Sequence, residues 1–175
     1  MTDLPIATKA IALALLLVLS GLFSMAETAM MAANRYRLRS LASTGHRGAK
    51  LANELLGQTD RLLGVILLFN NLINAAAAML VSIITIELFG DQEWALGAAT
   101  LVVTFLILVF SEITPKVIGA NYADRLSVVV SYVLSALLRI TSFVVSFINF
   151  FVSGLLSLMR LKPGADEGQH RLTPE

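Results

Sequence analysis

Three apolar runs, residues 8–33, 61–89 and 94–114, set the limits on what this chain can become. Each has the roughly 20 residues that a helix needs to cross a hydrocarbon core. Lipid offers a backbone no water to bond, so a spanning segment must be a helix or part of a closed barrel. No sustained two-residue alternation marks a strand, which leaves helices. Composition agrees, with 57% hydrophobic residues, 14% charged and a mean hydropathy of +0.79. Soluble domains carry about a quarter charged residues. The expected fold is an all-α integral membrane protein in one domain, embedded in a lipid bilayer. The first run, Ile11 to Met31 after Lys9, is longer than a signal sequence and lacks a clear cleavage pattern, so it reads as a retained span.

Charge orients the spans. Residues 34–60 hold Arg35, Arg37, Arg39, Arg47 and Lys50. Leu38, Leu41, Leu51, Leu55 and Leu56 are spaced there like the apolar faces of two short helices, with Thr44-Gly45-His46 as the turn. Basic residues favour the cytoplasm, so this is a cytoplasmic helical hairpin. Gly90-Asp91-Gln92-Glu93 has no Lys or Arg and belongs outside, with Trp94 at the interface. The N-terminus then lies outside and the third span returns to the cytoplasm. Residues 126–159 form a long apolar stretch divided by Arg139. Ile140 to Met159 has the length to span, but Arg160 and Lys162 would then be sent outside. A bent juxtamembrane helix lying like a belt on the inner leaflet is the preferred reading. Residues 1–160 thus form the membrane domain, and 161–175 a polar tail or linker ending in the cytoplasm.

Polar residues inside apolar helices are the chemically informative ones. Glu112 ends the stretch Trp94 to Phe110, within Ser111-Glu112-Ile113-Thr114-Pro115-Lys116. A carboxylate at that depth must be paired, hydrated or bound to a cation. The bland alternative is an ion pair with Lys116, four residues on and on the same helix face. Pro115 is expected to break or kink the helix. Ser20 and Ser24 share a face of the first span, with Glu27 near it. Their bland use is to bond the carbonyl one turn back. Gly21 lets another helix approach closely, and a loosened turn there would offer a bare carbonyl. Glu27 reads as structural, neutralised by Arg35 or Arg37. Asn70 and Asn74 share a face of the second span, while Asn71 points about 100° away. Interhelical hydrogen bonding competes with ligand binding for these amides.

At about 1.5 Å per residue, Asn70 lies roughly 13 Å from the inner end of its span, and Ser20 and Ser24 about 15–20 Å from the outer end of theirs. Glu112 lies nearer the inner end, so one inward-facing cavity can hold all four. Oxygen donors with one carboxylate suit a small hard cation such as Mg2+, which prefers six oxygens. The chain has no Cys and two His, His46 and His170, both in polar stretches. Thiolate and His-rich transition-metal sites are therefore excluded.

The strings Gly21-Leu22-Phe23-Ser24-Met25-Ala26-Glu27-Thr28-Ala29, Asn70-Asn71-Leu72-Ile73-Asn74 and Ser111-Glu112-Ile113-Thr114-Pro115-Lys116 occur in this order around a basic hairpin. Together they resemble the transmembrane domain of the CorC/cyclin M (CNNM) magnesium transporters, over about residues 8–160. The resemblance implies a homodimer with three membrane helices, a cytoplasmic helical pair and a belt-like juxtamembrane helix per subunit. It implies Mg2+ export coupled to Na+ entry across the plasma or bacterial inner membrane. Carried onto this sequence, it implies Ser20, Ser24, Asn70 and Glu112 as Mg2+ ligands, with Asn71 and Asn74 close by and Pro115 shaping the turn that presents Glu112. Family members usually continue into ATP-binding cytoplasmic regulatory modules. This chain stops at Glu175, so it is expected to be a membrane domain separated from them.

A non-transporting, Mg2+-sensing membrane scaffold for such modules is the competing reading. An enzyme is not expected, because no nucleophile–base pair lies within the spans and no phosphate-cradling glycine loop occurs. A net charge of +1 points to no nucleic-acid partner.

Overall fold

The computed structural model describes residues 5–90, 92–141, 147, 150 and 154. It divides into a unit running to Leu138 and a second beginning at Arg139. Within the described residues every regular element is a helix: α1 (Ile6–Ala32), α2 (Arg35–Ser43), α3 (Arg47–Leu56), α4 (Thr59–Phe89), α5 (Glu93–Leu106), a π-helical segment (Ile107–Ile113), α6 (Thr114–Asn121) and α7 (Ala123–Ile140). Three continuous helical stretches, Ile6–Ala32, Thr59–Phe89 and Glu93–Asn121, are long and apolar enough to cross a membrane. Their outer faces show Leu15, Val18, Leu72, Leu101 and Phe105, all exposed. Only a bilayer or another apolar surface suits such faces.

α1 is the central span. On one side it meets α4, where Phe23 and Phe69 stack with ring centroids 5.6 Å apart. On the other it meets the π segment and α6, and glycines set that approach. A Cβ at Gly21 would lie 3.1 Å from the Phe110 carbonyl oxygen, and one at Gly119 only 2.6 Å from that of Met25. Lipid tails are as apolar as Leu, so contact area between small residues, rather than exclusion of water, holds these helices together. The turn from α4 to α5 is tight. Gly90 ends α4 at φ +70°, a conformation that costs glycine nothing.

α2 and α3 form a short helical pair joined at Thr44 to His46, with Gly45 at φ +90°. Asn34 caps α2, its side-chain oxygen accepting from the backbone N–H of Tyr36 and Arg37. Here the core is of the ordinary kind: Met30 from α1, Leu38 from α2, Ala52 from α3, Leu62 and Ile66 from α4 and Leu134 from α7 are buried together. Each larger side chain contributes about 1.5–3 kcal/mol when removed from water. α7 is seated by Ser131, whose hydroxyl donates to the Gly48 carbonyl at 2.9 Å.

Two local expectations are corrected. α1 runs unbroken through Gly21, so no loosened turn bares a carbonyl there. The close-packed Ser111 and Pro115 support the helix at that glycine. Pro115 does not end the third span either, since helical backbone continues to Asn121. The π turn lies directly upstream, and Pro115 follows it as the second residue of α6. Of the stretch 126–159, residues up to 141 lie in or just beyond α7. The remainder of the proposed belt, apart from 147, 150 and 154, and the tail 161–175 lie outside the described residues.

Candidate functional site

The centre of α1 carries the polar cluster. Ser20 is fully buried, and its hydroxyl lies 2.7 Å from the side-chain oxygen of Asn70 and 2.6 Å from that of Asn74. Helical spacing places Asn70 and Asn74 one turn apart on the face that α4 turns to α1. A hydroxyl has one proton. It satisfies one of these two oxygens, and the other needs an amide NH2 turned inward or a shared cation. Asn71 lies on another face and is exposed. The neighbouring Asn residues therefore divide as their spacing demands, and Asn71 stays apart from the cluster.

Ser24 sits one turn along α1, fully buried, and its hydroxyl has no hydrogen-bond partner among the described residues. Serines within lipid-embedded helices commonly bond the carbonyl one turn back. Neither Ser20 nor Ser24 does so; Thr28 uses that device instead, bonding the Ser24 carbonyl at 3.2 Å. An unmatched buried hydroxyl costs about 1–3 kcal/mol, which makes Ser24 an unfilled oxygen donor.

The π segment brings Ser111 and Glu112 to the other side of α1. The Ser111 hydroxyl donates to the Leu17 carbonyl at 2.9 Å, and Ser111 is fully buried. Its Cα would lie 3.6 Å from a Cβ on Gly21, so the Ser111–Glu112 peptide runs beside the Ser20–Ser24 turn. Glu112 itself is half-buried. Among the described residues it makes no ion pair. Lys116 is exposed, and the alternative reading, a four-residue pairing with Glu112, finds no ion pair among the described residues. Glu112 lies within the π segment, one residue from its end. The Pro115 ring packs against Gly21. Pro115 also has no N–H to give the carbonyls of Phe110 or Ser111.

Ser20, Asn70 and Asn74 are thus in direct contact, Ser24 lies one turn away on α1, and Glu112 approaches on a separate wall with no direct bond to them. No group of three His, Asp or Glu side chains converges among the described residues. The local donor set is neutral hydroxyl and amide oxygen, with one carboxylate beside it. Such a set can hold a hard cation weakly and release it.

Comparison with known proteins fits this architecture. A family profile described as the cyclin M transmembrane N-terminal domain matches residues 10–175. The chain belongs to the cyclin M family. Its relatives include a UPF0053 protein of Haemophilus influenzae, 42% identical over 93% of this chain and 38% of that protein. The UPF0053 inner membrane protein YfjD of Escherichia coli is 40% identical over 82% of this chain and 33% of its own length. A chloroplastic DUF21 domain-containing protein of Arabidopsis thaliana is 32% identical over 86% of this chain and 22% of its own length. The chain spans little more than a third, or less, of each of these relatives.

Two polar contacts of this cyclin M domain escape a reading by motif. Lys9, 4% exposed near the start of α1, pairs with Glu87 near the end of α4. Asp124, at the start of α7, accepts from the Asn34 backbone N–H and from Arg37, each at 2.9 Å. Arg37 is thereby committed to α7, and Glu27, expected to draw on Arg35 or Arg37, has no ion pair among the described residues. A charged residue next to an apolar run was the available signal in both cases. Sequence separations of 78 and 87 residues hid the partners.

Proposed function

We propose that this cyclin M domain moves Mg2+ outward through the membrane, coupled to Na+ entry, from an inward-facing site. Ser20, Ser24 and Asn70 supply neutral oxygens and Glu112 the negative charge. Asn74 shares the Ser20 hydroxyl, and Asn71 lies outside the site. One observation carries the reading. A buried hydroxyl meets the side-chain amides of both Asn70 and Asn74, beside a second buried hydroxyl that has no partner among the described residues. A protein interior rarely leaves a buried hydroxyl unmatched without a use for it. Mg2+ surrenders its water reluctantly and binds few charged groups, so a partly neutral cage gives modest affinity and permits release.

In this reading α2 and α3 are the cytoplasmic pair, by the charge rule, and α7 is the first part of the belt along the inner leaflet. The N-terminus lies outside and the C-terminus inside. The exposed apolar spans suit a second copy of the chain as well as lipid, in keeping with a homodimer. ATP-binding cytoplasmic modules belong to the proposal only through the resemblance.

The test is Mg2+ efflux from sealed liposomes containing the purified protein. Wild type is expected to transport, while Asn70→Ala and Glu112→Gln lose flux and retain folding. Unchanged flux in both variants overturns the site. Mg2+-dependent stabilisation of wild type without any flux makes the protein a sensing scaffold instead.

A further inference from the structure

We infer that Lys9 and Glu87 form the outer latch of the transport path, the contact that must open before an ion can leave. The inference rests on the transport reading above, which places the start of α1 and the end of α4 at the outer face. Lys9 lies about 16 Å along α1 from Ser20, and Glu87 about 20 Å along α4 from Asn74, at roughly 1.5 Å per residue. The pair therefore closes the same α1–α4 seam that the polar cluster occupies deeper down. Among the described residues it is the one ion pair between two spanning helices.

The seam between latch and cluster holds no other polar bond between α1 and α4 among the described residues. Open grooves flank it. An apolar groove of about 300 Å³ lies along it, lined by Lys9, Ala12, Ala76, Met79 and Leu80 among others. A second of about 160 Å³, lined by Leu13, Val81, Ile84 and Val103 among others, separates its far side from α5. Close-packed interiors resist displacement, whereas grooves beside small side chains leave room for one helix to move past another. A segment made so is held shut chiefly at its end. A buried Lys is tolerated only while its charge is matched, so Glu87 holds Lys9 in place. A departing cation offers Glu87 a replacement partner and frees Lys9 to swing outward.

The chain has no Cys, so engineered thiols report without background. An Ala12→Cys reporter in right-side-out vesicles is labelled with a membrane-impermeant maleimide. Neutralising both partners together, Lys9→Met with Glu87→Gln, strands no charge. It is expected to raise the labelling rate about tenfold by enlarging a minor open population. Unchanged labelling overturns the latch. In a second arm, Lys9→Cys with Glu87→Cys is bridged by a reducible bis-methanethiosulfonate cross-linker and assayed for Mg2+ efflux. Flux is expected to cease and to return with reductant, while the charge-free Lys9→Met, Glu87→Gln protein, which has no thiol, transports in both conditions. Transport by the cross-linked protein at the reduced rate also overturns the latch. Absence of flux in wild type counts against the transport reading alone, because the labelling arm still decides whether the pair holds the seam closed.

Discussion

Ser20 and Asn70 meet across the α1–α4 interface, 2.7 Å apart and both buried. Their contact makes one side chain responsible for joining two spans. Ser20→Ala removes the hydroxyl that both the Asn70 and Asn74 amides contact. Polar contacts between helices in lipid are worth about 0.6 kcal/mol on average and about 1.7 at most. The variant is expected to lose stability within that range, measured by SDS titration or melting in micelles. Ser20→Thr keeps the hydroxyl and is expected to recover most of the loss.

Ser24→Ala should behave differently, although the residue is as buried as Ser20. Its hydroxyl has no partner to lose among the described residues. Replacing an unmatched polar group by an apolar one of similar shape is nearly neutral or stabilising. The expected melting temperature is therefore equal to or above that of wild type, while Mg2+ efflux falls. A loss of stability as large as that of Ser20→Ala, with flux intact, would make Ser24 a structural residue.

Helical periodicity puts Ser20, Asn70 and Asn74 each on a defined face, and length sets comparable depths for Ser20 and Asn70, but the contacts that join all three were not legible. The spans were legible because lipid permits few backbone solutions. Glu112 was legible as a costly residue, but its surroundings were not. It lies in a π segment, and the adjoining Pro115 packs against Gly21 from a distant part of the chain. Periodic patterns assume an unbroken α register, so they miss a register shift. The Lys9–Glu87 and Arg37–Asp124 pairs were hidden for a related reason, since pairing at long separation is decided by packing rather than spacing.

Close approach of α6 to α1 gives a stability contrast between two glycines. A Cβ at Gly119 would lie 2.6 Å from the Met25 carbonyl oxygen, a backbone atom that cannot swing aside. Gly119→Ala is expected to cost about 1–3 kcal/mol by forcing the helices apart. Gly64, inside α4, has nothing within 4 Å of a built Cβ. Gly64→Ala is expected to gain about 0.5–1 kcal/mol, because alanine is the better helix residue. Parallel unfolding titrations in one detergent check the opposite signs.

Pro115→Ala tests whether the π segment matters for function rather than for folding. The proline has no N–H, so neither the Ser111 nor the Phe110 carbonyl can receive a helical bond from that position. Alanine restores the donor and removes the ring that packs against Gly21. The α register then becomes available through residues 107–113, at the cost of the wide turn. Adopting it would turn Glu112 relative to Ser111 and to the polar cluster on α1. Folding is expected to be unharmed, since a proline inside a continuous helix is replaced by a better helix former. Mg2+ efflux is expected to fall by about tenfold or more, the scale seen when a group that orients a metal ligand is disturbed. Far-UV circular dichroism and a melt report the fold, and liposome flux reports the site. Wild-type flux in a well-folded Pro115→Ala protein would mean that Glu112 does not depend on the π turn for its position.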